Sequence, residues 1–370
     1  MSRMPNAVSS IDIRQYGFVA PTDKDFKPLD DEIQRTHDFA DLQRNDFHVK
    51  VTLLSPNTLV VYRTRGPAGE LRSNTLSMEA LFFDCQTGKL KHRESWPVRR
   101  RNRMTDFQET EGRIFAVDAD HFLVHANNRL LLYGSRFVLL KELALDELAM
   151  GPSTSATWAV QVAVGGKRLF LRTEILGTYG YQWRDAYTLA SVDVVPAPPP
   201  LDIAADHPVL PRETGYYIQQ QRNLQPYPPD SGATISCEPN ECRSQGISGL
   251  PLSEGRVLIS SKQRAAVYTS EGQLIWHRET DANTGLRMIG RSLNGRTFVT
   301  VWKGSQGEFD GVSLSNEDPT AFVYDLESGK RRLTATVPMG WDYGFSLSPD
   351  GMLFTILHGT TVDTFQCNRP

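Results

Sequence analysis

The sequence predicts an all-β fold: seven small antiparallel sheets of four strands each, set in a ring as a seven-bladed β-propeller. Three observations carry this. A strand–turn–strand unit recurs seven times along the 370 residues. A second strand–turn–strand unit follows it in several repeats. Successive first-unit turns fall 40 to 63 residues apart, four of the six gaps lying between 40 and 48, close to the period of a propeller blade.

Taken in order, the chain opens with an isolated strand-like run, Ser10 to Phe18, that has no unit of its own. A polar stretch, residues 21–45, leads from it to the repeats, which occupy residues 46–370. The first units are "LSPNTLVVY" (Leu54 to Tyr62), "FAVDADHFLVH" (Phe115 to His125) and "VAVGGKRLFL" (Val162 to Leu171). They continue with "LPRETGYYIQ" (Leu210 to Gln219), "LPLSEGRVLIS" (Leu250 to Ser260), "RSLNGRTFVTV" (Arg291 to Val301) and "GFSLSPDGMLFTIL" (Gly344 to Leu357). Each joins a strand end to an apolar or alternating strand through a turn of Pro, Asn, Asp or Gly, residues suited to tight reversals. The second units are "LFFDCQTGKLKHRESW" (Leu81 to Trp96), "LLLYGSRFVLLKEL" (Leu130 to Leu143), "AVYTSEGQLIWHRE" (Ala266 to Glu279) and "FVYDLESGKRRLTATV" (Phe322 to Val337). Runs such as Leu81-Phe82-Phe83 and Leu130-Leu131-Leu132 are apolar on both faces, as expected for sheets packed between two neighbours. Helical periodicity is confined to fragments around Asp30 to Gln43 and Lys141 to Ala149.

The last unit has three strands and lacks its outer fourth. Residues 10–18 are therefore expected to pair beside Thr361 to Gln366, closing the ring and covering an edge of unpaired N–H and C=O groups. The whole of residues 1–370 then forms a single propeller domain.

Several turns resemble those of the quinoprotein-like and WD-repeat-like bacterial β-propellers. These are Asp84-Cys85-Gln86-Thr87-Gly88-Lys89, Asp325-Leu326-Glu327-Ser328-Gly329-Lys330, Gly272-Gln273-Leu274-Ile275-Trp276 and Leu347-Ser348-Pro349-Asp350-Gly351. The resemblance implies the architecture and no functional residue. The chain lacks the adjacent cysteines found in many quinone enzymes. The single Trp-Asp, Trp341-Asp342, precedes a first strand instead of ending a blade. No cofactor is expected.

Composition narrows the function classes. The net charge is −3, so no global basic field exists to hold nucleic acid. No run of 18 apolar residues is present, so no spanning helix is expected. The first 20 residues lack the apolar stretch of a signal peptide; either the protein is cytoplasmic, or a leader lies outside this sequence and the protein is periplasmic or secreted. Cys237-Glu-Pro-Asn-Glu-Cys242 could close a small disulfide loop; the alternative is two free thiols near a turn. His121 and His125 share a strand face about 13 Å apart, too far to share a metal, and no metal site is expected.

Extra sequence gathers in the loops between second and third strands: Arg65 to Met78, Glu174 to Asp185, Asn223 to Ser231 and Lys303 to Asp318. Loops on a rigid frame commonly carry function. Within them, Tyr179, Tyr181, Trp183 and Arg184 form the expected recognition surface, because Tyr, Trp and Arg dominate binding hot spots. Trp341, Asp342 and Tyr343 are expected at the channel mouth on the same face. The leading expectation is a monomeric, non-catalytic propeller that binds a protein or glycan. The alternative is a lactonase- or glycosidase-type hydrolase with an acidic or metal site in the central channel.

Overall fold

In a computed structural model, the described residues are 6–18, 49–65, 75–99, 112–145, 157–175, 178–193, 209–212, 215–220, 223–236, 248–261, 263–280, 284–304, 308–314, 318–336 and 343–369. They form seven antiparallel blade sheets whose strands follow one another outward in chain order, except for the outermost strand of the last. Blade 1 is Lys50–Ser55, Thr58–Arg65, Thr75–Asp84 and Leu90–Arg99. Blade 2 is Arg113–Ala116, His121–Ala126, Arg129–Gly134 and Leu139–Ala144. Blade 3 has Thr157–Val162, Arg168–Ile175 and Thr178–Asp185; among the described residues, a single bridge from Arg184 to Ser191 stands where the others carry a fourth strand. Blade 4 is Val209–Pro211, Tyr216–Gln220, Asn223–Tyr227 and Ile235–Ser236. Blade 5 is Ser248–Pro251, Val257–Ser260, Arg264–Tyr268 and Leu274–Glu279. Blade 6 is Thr284–Arg291, Thr297–Gly304, Thr320–Asp325 and Arg331–Thr336. Blade 7 is Tyr343–Leu347, Leu353–His358 and Thr361–Gln366, completed by Ser9–Asp12 from the chain's beginning.

All seven first-unit turns predicted from sequence lie between first and second strands. First strands of most neighbouring blades touch around the centre. Lys50–Ser55 packs on both Arg113–Ala116 and Tyr343–Leu347. Thr52 donates to Ile114 O at 3.4 Å, and Leu53 N donates to Ser346 Oγ at 2.9 Å.

The core is distributed, because a single four-stranded sheet cannot bury both of its own faces. Seven clusters of buried side chains occupy the seven blade–blade junctions. Leu123, Leu130 and Leu132 of blade 2 meet Leu169 and Leu171 of blade 3, for example. Phe298, Phe322 and Tyr324 of blade 6 meet Trp276 of blade 5.

The closing segment is shorter as a strand than residues 10–18. Ser9–Asp12 pairs with Thr361–Thr364, and Ile13–Tyr16 then turns into one 3-10 helix. The Asp12 carboxylate accepts from Arg14 N at 3.0 Å, and Gly17 at φ +85° ends the turn. Extended pairing stops there so that Ile13 and Phe18 can enter the junction of blades 7 and 1 beside Ile11. Blade 1 grips the segment: Arg63 donates to Gly17 O at 2.8 Å with its guanidinium over the Phe18 ring, and Arg93 donates to Tyr16 O at 2.9 Å.

Two of the expected long loops are strands instead. Thr178–Asp185 pairs along its whole length with Arg168–Ile175, and Asn223–Tyr227 pairs with Tyr216–Gln220. The excursion after Gly304 does persist. It contains a small hairpin, Glu308–Phe309 with Val312–Ser313, whose Phe309 stacks on Trp302 at 4.3 Å inside the junction of blades 5 and 6. The expected helical fragment at Lys141 begins inside an outer strand, since pairing to blade 2 outweighs local propensity; Asp30 to Gln43 lies outside the described residues.

Candidate binding face

Turns after the first and third strands share one face of the ring, and short polar side chains build them. Asp84 Oδ1 accepts from Gln86 N, Thr87 N and Thr87 Oγ1 at 2.9 to 3.0 Å. Asp325 Oδ1 accepts from Ser328 N and Oγ at 2.8 and 2.7 Å. Asp185 repeats the device with Tyr187 N, Thr188 N and Thr188 Oγ1. This third copy is hidden in the sequence because Leu189, at φ +57°, stands where the other two have Gly. The Asp-x-x-Thr spacing was the available signal.

The same face is drawn shut at the centre. Gly165 N of blade 3 donates to Leu293 O of blade 6 at 2.7 Å. Arg291 Nη2 reaches Val162 O at 3.0 Å, and Nη1 reaches Ser292 O at 3.2 Å. Burial pushes the Arg291 guanidinium down to about 10, still charged at neutral pH. Gly166 sits at φ +74° so close to blade 2 that a Cβ there would lie 1.9 Å from Val117 O. The turn of blade 3 thus spans the floor of the channel, bonded to blade 6 and pressed against blade 2.

The aromatic residues expected on a recognition loop fall elsewhere. Trp183 is 5% exposed and belongs to the junction of blades 3 and 4, where its Nε1 donates to Tyr216 OH and its ring meets Phe170 at 5.0 Å. Tyr181 is half-buried and stacks on Phe170 at 5.4 Å. Arg184 is buried, with Nη1 donating to Leu189 O at 2.6 Å. These are corrections to the loop reading: alternation along a paired strand turns Tyr181 and Trp183 onto the interior face. Tyr179 and Tyr343 lie within strands, Thr178–Asp185 and Tyr343–Leu347. Trp341, Asp342, Cys237 and Cys242 lie outside the described residues. Cys85 and Cys367 are buried free thiols, each pushed up to about 12 by burial and so unreactive at neutral pH. Among the described residues, no group of three or more His, Cys, Asp or Glu side chains could hold a metal, and no helix is long and apolar enough to cross a membrane.

What sequence reasoning missed is a set of exposed apolar residues on the outer rim. Four outer strands carry a β-bulge near their start, and the extra residue is Lys91, Leu140, Ile275 or Arg332. In blades 1 and 6 it serves the frame. Lys91 Nζ donates to Asn57 O at 2.8 Å, and Arg332 reaches Asn368 O and Thr297 Oγ1 at 2.7 and 2.9 Å. In blades 2 and 5 the same position is apolar and open: Leu140 is 53% exposed and Ile275 41%. Val138, Leu139, Leu274 and Leu90 are exposed beside these bulges, and Tyr187 is exposed in the corresponding turn of blade 3. All the exposed large apolar side chains among the described residues lie on this rim. Only register could have revealed them, since "FVLLKEL" reads as an ordinary buried strand.

Blades 2 and 3 join this rim into one surface. Leu140 lies over Gly134, where an added Cβ would meet Leu140 Cδ1 at 3.5 Å, and Gly134 pairs with His121. The His121 ring meets Tyr187 edge-on at 5.5 Å. Asp118 Oδ2 accepts from Tyr187 OH at 3.0 Å, and its Oδ1 lies 2.9 Å from His121 Nδ1. Burial opposes ionisation of Asp118, but hydrogen bonds from Asp120 N, His121 and Tyr187 outweigh it and hold the carboxyl below its ordinary range.

No protein-family model matches the chain, and no curated protein matches it. Many solved structures do. The C-terminal WD40 domain of Sif2 is 11% identical, with a TM-score of 0.46 over 88% of this chain and 96% of that one. The β-propeller domain of Myceliophteria thermophila Cps50 (Swd1) is 10% identical, with a TM-score of 0.49 over 86% of this chain and 97% of that one. These are likenesses of shape only; the seven paired sheets themselves establish the propeller.

Proposed function

We infer that this propeller is a non-catalytic scaffold that binds a protein partner through the outer rim of the turn face. One observation carries the reading. At a bulge repeated around the ring, blades 1 and 6 spend a basic residue on internal hydrogen bonds, whereas blades 2 and 5 present Leu140 and Ile275 to solvent. Grouped apolar side chains on an otherwise polar surface mark association sites. A rigid ring with a distributed core suits such a role, because partner binding need not reorganise the frame.

The test compares capture by the wild-type chain and a Leu139→Ser/Leu140→Ser variant, with melting as the folding control. Surface changes of this kind move stability by about 0.5 kcal/mol or less. A protein retained stoichiometrically by the wild type and lost by the variant supports the reading. Equal capture by both chains contradicts it, as does retention of a glycan alone.

A further inference from the structure

The closing segment is separate in sequence from both blades that it joins. Ser9–Asp12 pairs with blade 7, whereas Arg63, Arg93 and the Phe83 ring, which hold Gly17, Tyr16 and Phe18, belong to blade 1. Ile11, Ile13 and Phe18 enter one cleft with Val362 and Leu357 on one side and Leu59, Val61 and Leu81 on the other. Ser9 Oγ donates to Cys85 O at 2.8 Å, and a Cβ on Gly88 would lie 3.3 Å from Ile11 Cγ1, so the cleft is shaped to this segment.

The connection back to the ring is far longer than it needs to be. Phe18 and Val49 belong to the same buried cluster, yet residues 19–48 separate them. About thirty residues can span on the order of 100 Å.

We propose that the cleft between blades 7 and 1 is an exchangeable peptide site, whose second occupant is residues 8–18 of another copy of this chain. Every contact that residues 8–18 make in cis can be made in trans, so the exchange costs none of those interactions; loop closure then weighs between the two. Closure in cis is intramolecular and dominates in dilute solution, whereas co-refolding at high protein concentration favours pairing in trans. This goes beyond the rim reading and does not depend on it.

A cross-strand disulfide reads the exchange. Ser10 faces Asp363, and because Ile13 N donates to Thr360 O, alternation makes Ser10–Asp363 a non-hydrogen-bonded pair. Such pairs lie about 4.5 Å apart at Cα, within disulfide range. A full-length Ser10→Cys chain and a full-length Asp363→Cys chain are co-refolded and oxidised. The Ser10→Cys/Asp363→Cys double variant reports the cis register, and the wild type and each single variant report background from native thiols. A covalent dimer specific to the mixture supports exchange. A cross-link in the double variant without one in the mixture overturns it. So does the absence of any cross-link in the double variant, or dimer in the single-variant or wild-type lanes equal to that of the mixture. If Asp363→Cys fails to refold, the Asp12–Thr361 pair provides the same readout.

Discussion

Replacing Trp183 with Ala separates a recognition loop from a packed junction. The indole is buried between Phe170 and Tyr216, and its N–H satisfies the Tyr216 hydroxyl. Truncating a buried Trp costs about 3–5 kcal/mol. Leaving the Tyr216 hydroxyl without its donor adds about 1 kcal/mol. Unfolding entropy near 2.1 cal/mol/K per residue gives roughly 0.8 kcal/mol/K for the 370-residue chain. The melting temperature should therefore fall by about 5–8 °C. The assay is thermal unfolding followed by circular dichroism, with Tyr216→Phe as a partner control expected to lose only about 1 °C. A Trp183→Ala chain that melts within about 1 °C of wild type would refute the placement of this side chain in the interior.

Other outcomes follow from the same geometry. Ile13→Ala, at a fully buried position of the closing segment, should cost about 2–5 kcal/mol and speed hydrogen exchange in Thr361–Gln366, read by mass spectrometry; unchanged exchange would deny the segment its closing role. Gly166→Ala should destabilise by more than the roughly 1 kcal/mol of a simple left-handed penalty, because the new methyl meets Val117 O; a melting point equal to wild type would count against the closed channel floor. Acid should weaken the blade 7 ladder. Burial opposes ionisation of Asp363, but hydrogen bonds from His358 and Ser10 hold its pKa below the ordinary value. A depressed carboxyl stabilises the fold above its unfolded pKa near 4, and that contribution disappears as pH falls through the folded value. Urea midpoints should thus drop below pH 4 less steeply in Asp363→Asn than in wild type; identical slopes would contradict this.

Much of the fold was legible because its turns are chemically explicit. Gly295 and Gly351 occupy positive φ in turns that "LNG" and "PDG" announce, and alternation fixed the strands on either side. Ring closure was legible as a count: a last blade one strand short and a first run without a home. The proposed binding face was not. Glu174 to Asp185 reads as extra loop sequence, yet Tyr179, Tyr181 and Trp183 alternate with period two, and that period prevailed once Arg168–Ile175 offered a ladder. The rim residues depend on bulges that add one residue to a strand, a detail of pairing that composition does not encode.

Hydrogen-exchange footprinting of the propeller with its captured partner tests the proposed binding face most directly. Protection should concentrate at residues 138–140 and 187, or at 274–275, on the outer rim of the turn face. Protection confined to the opposite face, at the Asn127–Asn128 and Gly359–Thr360 turns, would contradict it.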